Sequence, residues 1–154
     1  MLTLKLFGGA LEISKLPSID LLDVSQMRQV PDNQEVFVDK HSDLSIIVEL
    51  LEHDPSMTIE KHFAQLAEDN GAKESEIVTA SRSCLYGTQT ASKFNKQESS
   101  IVHIYLGLLT LNQHKTDVLV SLNSPKEQKV SFKEFTEMFT SLTVKDASIF
   151  VNDQ

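Results

Sequence analysis

One cysteine, Cys84, stands in 154 residues. That excludes a disulfide framework and a thiolate metal cluster, and it suits a reducing compartment. Long apolar runs are missing too. The longest, Ile101–Leu111, is interrupted by His103 and Gly107 and falls short of the roughly 18 apolar residues a membrane-spanning helix needs. The opening MLTLKLFGGALEIS has neither the charged n-region nor the long apolar h-region of a signal peptide, so a soluble intracellular protein is expected. Signatures of catalysis are equally scarce. There is no G-x-S-x-G elbow, no phosphate-cradling loop, no H-E-x-x-H and no dinucleotide fingerprint. Gly8-Gly9 is too short for a phosphate cradle and reads as a bend. His41, His53, His62, His103 and His114 are scattered at spacings that suit no metal, so no metal or cofactor is expected. Repeats, low-complexity tracts and linkers are absent, which leaves one domain over residues 1–154.

Basic residues are in short supply. Fourteen lysines and arginines face 22 aspartates and glutamates, for a net charge of −8 and a pI near 5.0. The imbalance is local: residues 1–77 carry 15 acids and 6 bases, residues 78–154 carry 7 and 8. Such a field argues against nucleic acid or an anionic membrane as partner and favours a basic protein. Solubility alone is the plainer reading of the same charge.

The patterning that is present predicts most elements. Leu2, Leu4 and Leu6 alternate with Thr3 and Lys5, Gly8-Gly9 interrupts, and Leu11–Ile13 resumes an extended pattern. Asp23 can cap one helical turn through Arg28, which Pro31 ends. Glu35–Asp39 reads as a strand. Ile46–Leu51 mixes β-branched residues with a helix-favouring Glu-Leu-Leu-Glu; a strand is preferred, because a hairpin with Glu35–Asp39 needs no long crossover. A helix is expected with Asp54 as N-cap and Pro55 at its first position, stopping at Asn70-Gly71, with Ile59, Phe63 and Leu66 on one face.

From Glu76 to Tyr86 the period is two, and Gly87 onward extends a second, solvent-facing strand to a loop at Lys93–Ser99. Ile101–Leu111 is apolar on both faces, as a central strand is, and Asp117–Leu122 returns antiparallel to it. Ser131 and Glu134 form a capping box, Val130 and Phe135 a hydrophobic staple, and Phe132, Phe135, Phe139 and Leu142 line one helix face. The tail Asp146–Phe150 offers two apolar residues to dock on the sheet. The sum is an α+β fold, a mostly antiparallel sheet with helices on both faces in a three-layer α/β/α sandwich.

Cys84 could be a nucleophile if a histidine met it in space, but a small buried hydrophobe is the expected role. The acidic segment from Asp20 to Asp54 holds nine carboxylates against Arg28 and Lys40. Strand alternation puts Glu49 and Glu52 on opposite faces unless the strand ends or bulges near Leu51. Asp39 and Asp43 read as loop and solvent residues, and a solvated edge without a partner is the bland alternative for the whole segment; Asp117, at the opening of a later strand, reads as the cap of a turn.

Five stretches carry a resemblance: LFGGA (Leu6–Ala10), IDLLDVSQMRQVPDNQEVF (Ile19–Phe37), SIIVELLE (Ser45–Glu52), TDVLVSLN (Thr116–Asn123) and the closing DASIF. Together they resemble the Mog family of Ran guanine-nucleotide release factors. The resemblance implies a PsbP-like sandwich, binding to the GTPase Ran, release of its nucleotide, a role in nuclear transport and a location in the nucleus. It also leaves room for a further Ran-binding protein in the complex. The two carboxylates implicated in Ran binding carry over to Glu49 and Glu52, and Asp32 and Glu35 are added because they flank the partner strand. A scaffold for basic partners without exchange activity, or a small enzyme centred on Cys84 or a histidine–acid pair, are the competing expectations.

Overall fold

The computed structural model describes residues 3–92 and 99–150, which form two sheets, two α-helices and four short 3-10 turns. Leu2 and most of the expected Lys93–Ser99 loop lie outside these residues. The N-terminal alternation becomes β1 (Thr3–Leu6) and β2 (Leu11–Ser14), paired antiparallel. Between them Phe7, Gly8 and Gly9 all take positive φ (53°, 70° and 95°), a run that glycine supplies cheaply. The larger sheet contains β3 (Leu21–Asp23), β4 (Gln34–Asp39), β5 (Ser45–Glu52), β6 (Glu74–Ala80), β7 (Cys84–Ser92), β8 (Ser99–Leu111) and β9 (Thr116–Pro125). Their order is β3-β4-β5-β9-β8-β7-β6, with every pairing antiparallel. β10 (Thr143–Val144) joins β2 in the small sheet.

Strand alternation divides the core into two. On one face of β8, Ile104 and Leu106 meet Leu85 of β7 and the Ile59 and Phe63 side chains of α1 (Ile59–Asp69). On the other, Tyr105 joins Cys84 and Tyr86 beneath Phe135, Met138 and Phe139 of α2 (Phe132–Thr140). The helices therefore cover opposite faces, as expected of a three-layer α+β fold. One part of the α2-side layer is a sheet: Leu6, Leu11 and Ile13 of β1 and β2 pack over Phe37, Ile46 and Val48. The tail docks as expected, with Phe150 buried and stacked on His114 at 4.6 Å between ring centroids.

Local signals resolve in instructive ways. The capping box of α2 forms: Ser131 Oγ accepts from Glu134 N, and Glu134 Oε1 accepts from Ser131 N, each at 3.0 Å. The α1 cap is Thr58 rather than Asp54, its Oγ1 accepting from Lys61 N at 3.2 Å. Asp54 instead closes its own turn by accepting Ser56 N and Ser56 Oγ at 2.9 and 2.7 Å. The alternation from Glu76 to Tyr86 hides a chain reversal at Ser81–Ser83. Cys84 N donates to Ser81 Oγ and Ser81 N to Cys84 O, so Ser81 closes with its backbone and its hydroxyl a turn that carries no glycine, proline, asparagine or aspartate.

Asp39 departs from the expected solvent role. It is buried, and its carboxylate accepts Ser42 Oγ at 2.6 Å and Asp20 N at 3.3 Å, tying the β4–β5 loop to the segment before β3. The Ser42 hydroxyl is the chief cause that holds this carboxyl below the ordinary value of 3.8, with burial opposing. A depressed native pKa contributes stability that is fully present above the unfolded value and lost as pH falls through the native one. Asp39→Ala is therefore expected to cost about 1–3 kcal/mol at neutral pH. Its deficit should shrink below pH 3.8, which urea unfolding at pH 7 and pH 3 would check.

Candidate functional site

The acidic segment is built around β5. Its Ile-Ile-Val start lies between β4 and β9 with Ile46 and Val48 buried, and its last three residues, Leu50 to Glu52, run out past the last β4 partner. β4 pairs from Val38↔Ser45 to Gln34↔Glu49, whereas β9 accompanies β5 all the way to Glu52↔Thr116 without a register shift. No bulge rotates the end of β5. Glu49 and Glu52 therefore point to opposite faces.

Glu49 lies on the α1 side of the sheet, half-buried, with its Oε2 accepting from Gln34 Nε2 at 2.9 Å. Glu52 is exposed at the strand end. Asp32 is exposed in the turn Pro31–Gln34, which closes through Gln34 N to Pro31 O at 3.0 Å. Asn33 pins that turn to β5: Leu50 N donates to Asn33 O at 2.8 Å, and Asn33 Nδ2 to Leu50 O at 3.1 Å. Asp32 is thereby held at the same end of the sheet as Glu52. Glu35 is set apart. It shares the buried face with Val48, and its Oε1 accepts from Phe7 N at 3.2 Å, bracing the positive-φ turn there. Burial pushes its pKa up, with the Phe7 N–H opposing and neighbouring Asp23 adding to the rise.

Three groups near Glu49 were not legible as a cluster. Gln34, which orients the Glu49 carboxylate, carries no charge to attract notice. Asp117, expected to cap a turn, is buried and pairs with His53, its Oδ1 2.9 Å from His53 Nδ1. His62 on α1 keeps Nε2 fully enclosed; burial lowers its pKa, while Asp117, Glu49 and Asp54 pull it back up. Only the β5–β9 register brings Asp117 beside Leu51, two pairs from Glu49 and on the same face. Among the described residues, no group of histidine, cysteine, aspartate and glutamate could hold a metal ion. Cys84 is buried, and that burial raises its thiol pKa, which disfavours the thiolate a nucleophile needs.

The model of a family described as Ran-interacting Mog1 protein matches residues 4–125. The chain belongs to that family. A Danio rerio protein named Ran guanine nucleotide release factor is 38% identical over 78% of this chain and 76% of its own. The Homo sapiens protein of the same name is 32% identical over 94% of both chains. The solved structure of the Saccharomyces cerevisiae Ran-binding protein Mog1p superimposes with a TM-score of 0.76 at 25% identity, covering 97% of each chain. The fold expected from the family resemblance is thus the fold observed. Within this Mog1 sandwich, the acids singled out from the sequence form one exposed strand end, one oriented carboxylate on the α1 side and one internal brace.

Proposed function

We propose that the chain binds the GTPase Ran through the acidic end of the β4–β5 pair and promotes release of its bound guanine nucleotide, acting in the nucleus in support of nuclear transport. The observation that carries this reading is the joint position of Asp32 and Glu52 at the open end of β5, with the oriented Glu49 three residues back on the opposite face, in a chain whose relatives are named for Ran. Glu35 supports the site by holding the adjacent chain.

Nothing in this action needs covalent chemistry. An acidic surface docks on basic groups of the GTPase and prefers its nucleotide-free form. Linkage then weakens nucleotide binding by the factor by which nucleotide weakens docking. Tenfold faster release requires only about 1.4 kcal/mol off the barrier, within reach of a few charge-assisted hydrogen bonds.

The test is release of a fluorescent guanine nucleotide from Ran at increasing salt. Release is expected to accelerate when the chain is added, and the acceleration to fade between about 0.05 and 0.5 M salt as exposed charges are screened. No acceleration at low salt would overturn the exchange reading. Binding to Ran without acceleration would leave the scaffold reading in its place.

A further inference from the structure

β4 and β5 carry apolar residues on both faces, and the fold covers one of them fully and the other only in part. Phe37, Ile46 and Val48 point into the core beneath the small sheet and retain 4%, 2% and 0% of their exposure. The alternate residues Val36, Val38, Ile47 and Leu51 point the other way, joined by Leu22 of β3 and Leu119 of β9 through the pairings Leu22↔Val38, Val36↔Ile47 and Glu49↔Leu119. That is the side on which α1 lies, but α1 packs on β6, β7 and β8. None of these six side chains belongs to either core cluster; Val36 and Leu119 are buried in the middle of the strip, and Leu22, Val38, Ile47 and Leu51 around them remain half-exposed. An antiparallel sheet with a solvated face normally alternates apolar with polar residues, whereas strands apolar on both sides are covered on both sides.

We infer that this strip is the centre of the partner-binding surface, and that the partner presents an apolar cluster ringed by lysine or arginine. The inference rests on the Ran-binding reading above and names the face and chemistry by which it occurs. Charge decides the occupant. Glu49 is the half-exposed acid among the six, since Asp117, opposite Leu51 on the same face, is buried and paired with His53. Exposed Asp43 stands in the loop at one end of the β4–β5 pair, and Asp32 and Glu52 stand at the other. Lys40, at the Asp43 end, is within 3.8 Å of Asp20. A second copy of this chain would set acid against acid, and an anionic membrane would be repelled. A basic protein surface with an apolar centre satisfies both parts of the strip.

The dimensions agree. Four strands about 4.8 Å apart and some six residues of about 3.3 Å rise make a patch roughly 15 Å by 20 Å. That is the size of the dry core of a standard interface rather than of a whole one, with the terminal acids forming its rim. Glu49 then works from inside the contact, where the Gln34 amide fixes its carboxylate before the partner arrives.

Methyl-labelled protein titrated with Ran tests this without any substitution. The Val38, Ile47 and Leu51 methyl signals are expected to shift or broaden, while those of Ile77 and Ile101, exposed at the far end of the sheet, stay in place. Ile47→Ser and Leu51→Ser are expected to weaken Ran binding roughly tenfold, chiefly through faster dissociation and at both low and high salt. Ile77→Ser should bind as the parent does. Ran that binds while the Val38, Ile47 and Leu51 methyls stay unmoved would overturn the strip and leave the charged strand end as the site. Failure of the unsubstituted chain to bind Ran at all would remove both readings together.

Discussion

Charge reversal at both Glu49 and Glu52 is expected to abolish stimulated nucleotide release from Ran while leaving the protein folded. Reversal does more than remove an attraction, because each new lysine meets the basic groups that the acid had engaged. A desolvated charge pair that loses its partner costs about 2–5 kcal/mol, and an exposed rim pair under about 1 kcal/mol. Glu49, half-buried and oriented by Gln34, belongs to the first kind, and Glu52, exposed past the last β4 pairing, to the second. The double reversal should therefore reduce affinity by at least about a hundredfold, most of it from Glu49→Lys alone. The fold should survive. Glu52 makes no internal contact that the core depends on, and Glu49 gives up one side-chain hydrogen bond worth about 1 kcal/mol. Release rates for the two single variants and the double, each with its thermal midpoint, decide the matter. Parental release rates in the double variant would sink the site, and equal losses from the two single variants would sink the distinction drawn between their positions.

The second large effect lies in the core. Gly107 sits in the middle of β8, buried against α2, and a Cβ built there would stand 2.6 Å from two ring carbons of Phe139 and closer still to a third. Contacts that short force either the ring or the strand to move. The ring has little room: Phe139 is 6% exposed and stacks on Phe135, and the capping box fixes where α2 begins. The strand has none, since β8 is paired along both edges, by β7 and by β9. Gly107→Ala is accordingly expected to destabilise the protein by about 1–3 kcal/mol, with Gly107→Val worse. For a chain of this size that corresponds to a fall of roughly 2–4 °C in midpoint per kcal/mol. Trimming the obstacle should help: Phe139→Leu in the Gly107→Ala background is expected to be more stable than additive losses predict, because the two changes relieve one clash. A Gly107→Ala protein as stable as its parent would mean that α2 does not press on the strand as described.

How far these sites could be read in advance differs between them. Gly107 announced itself only as an interruption in an apolar run. Its role as the seat of a phenylalanine depends on which face of β8 receives α2, and no local signal encodes that. The acids were legible as a group but their division was not. Residue spacing put Glu49 and Glu52 on opposite faces, and the unbroken β5–β9 register kept them there. That Glu35 turns inward to brace Phe7 follows from the small sheet packing over β4, a contact between segments 28 residues apart. Asp39 and Asp117 were read as solvent and turn residues because carboxylates usually are. Their partners, Ser42 with Asp20 N and His53, come from a loop closure and a strand pairing that composition does not reveal.

By itself the sequence determined whatever depends on a few consecutive residues. Period-two and period-3.6 hydrophobicity produced the strands and helices, the Ser131–Glu134 box set the start of α2, and the PDNQEVF and SIIVELLE stretches marked the family. Tertiary structure decided what distant segments settle between them. It moved the α1 cap to Thr58, closed an unmarked turn at Ser81–Ser83, and laid β1 and β2 over one face of β4 and β5 while the other face kept its apolar strip around Glu49. The physical reason is that hydrogen-bonding and hydrophobic preferences act locally, whereas burial is allotted only when the layers meet. A carboxylate's duty, as surface, brace or ion-pair partner, follows from that allotment.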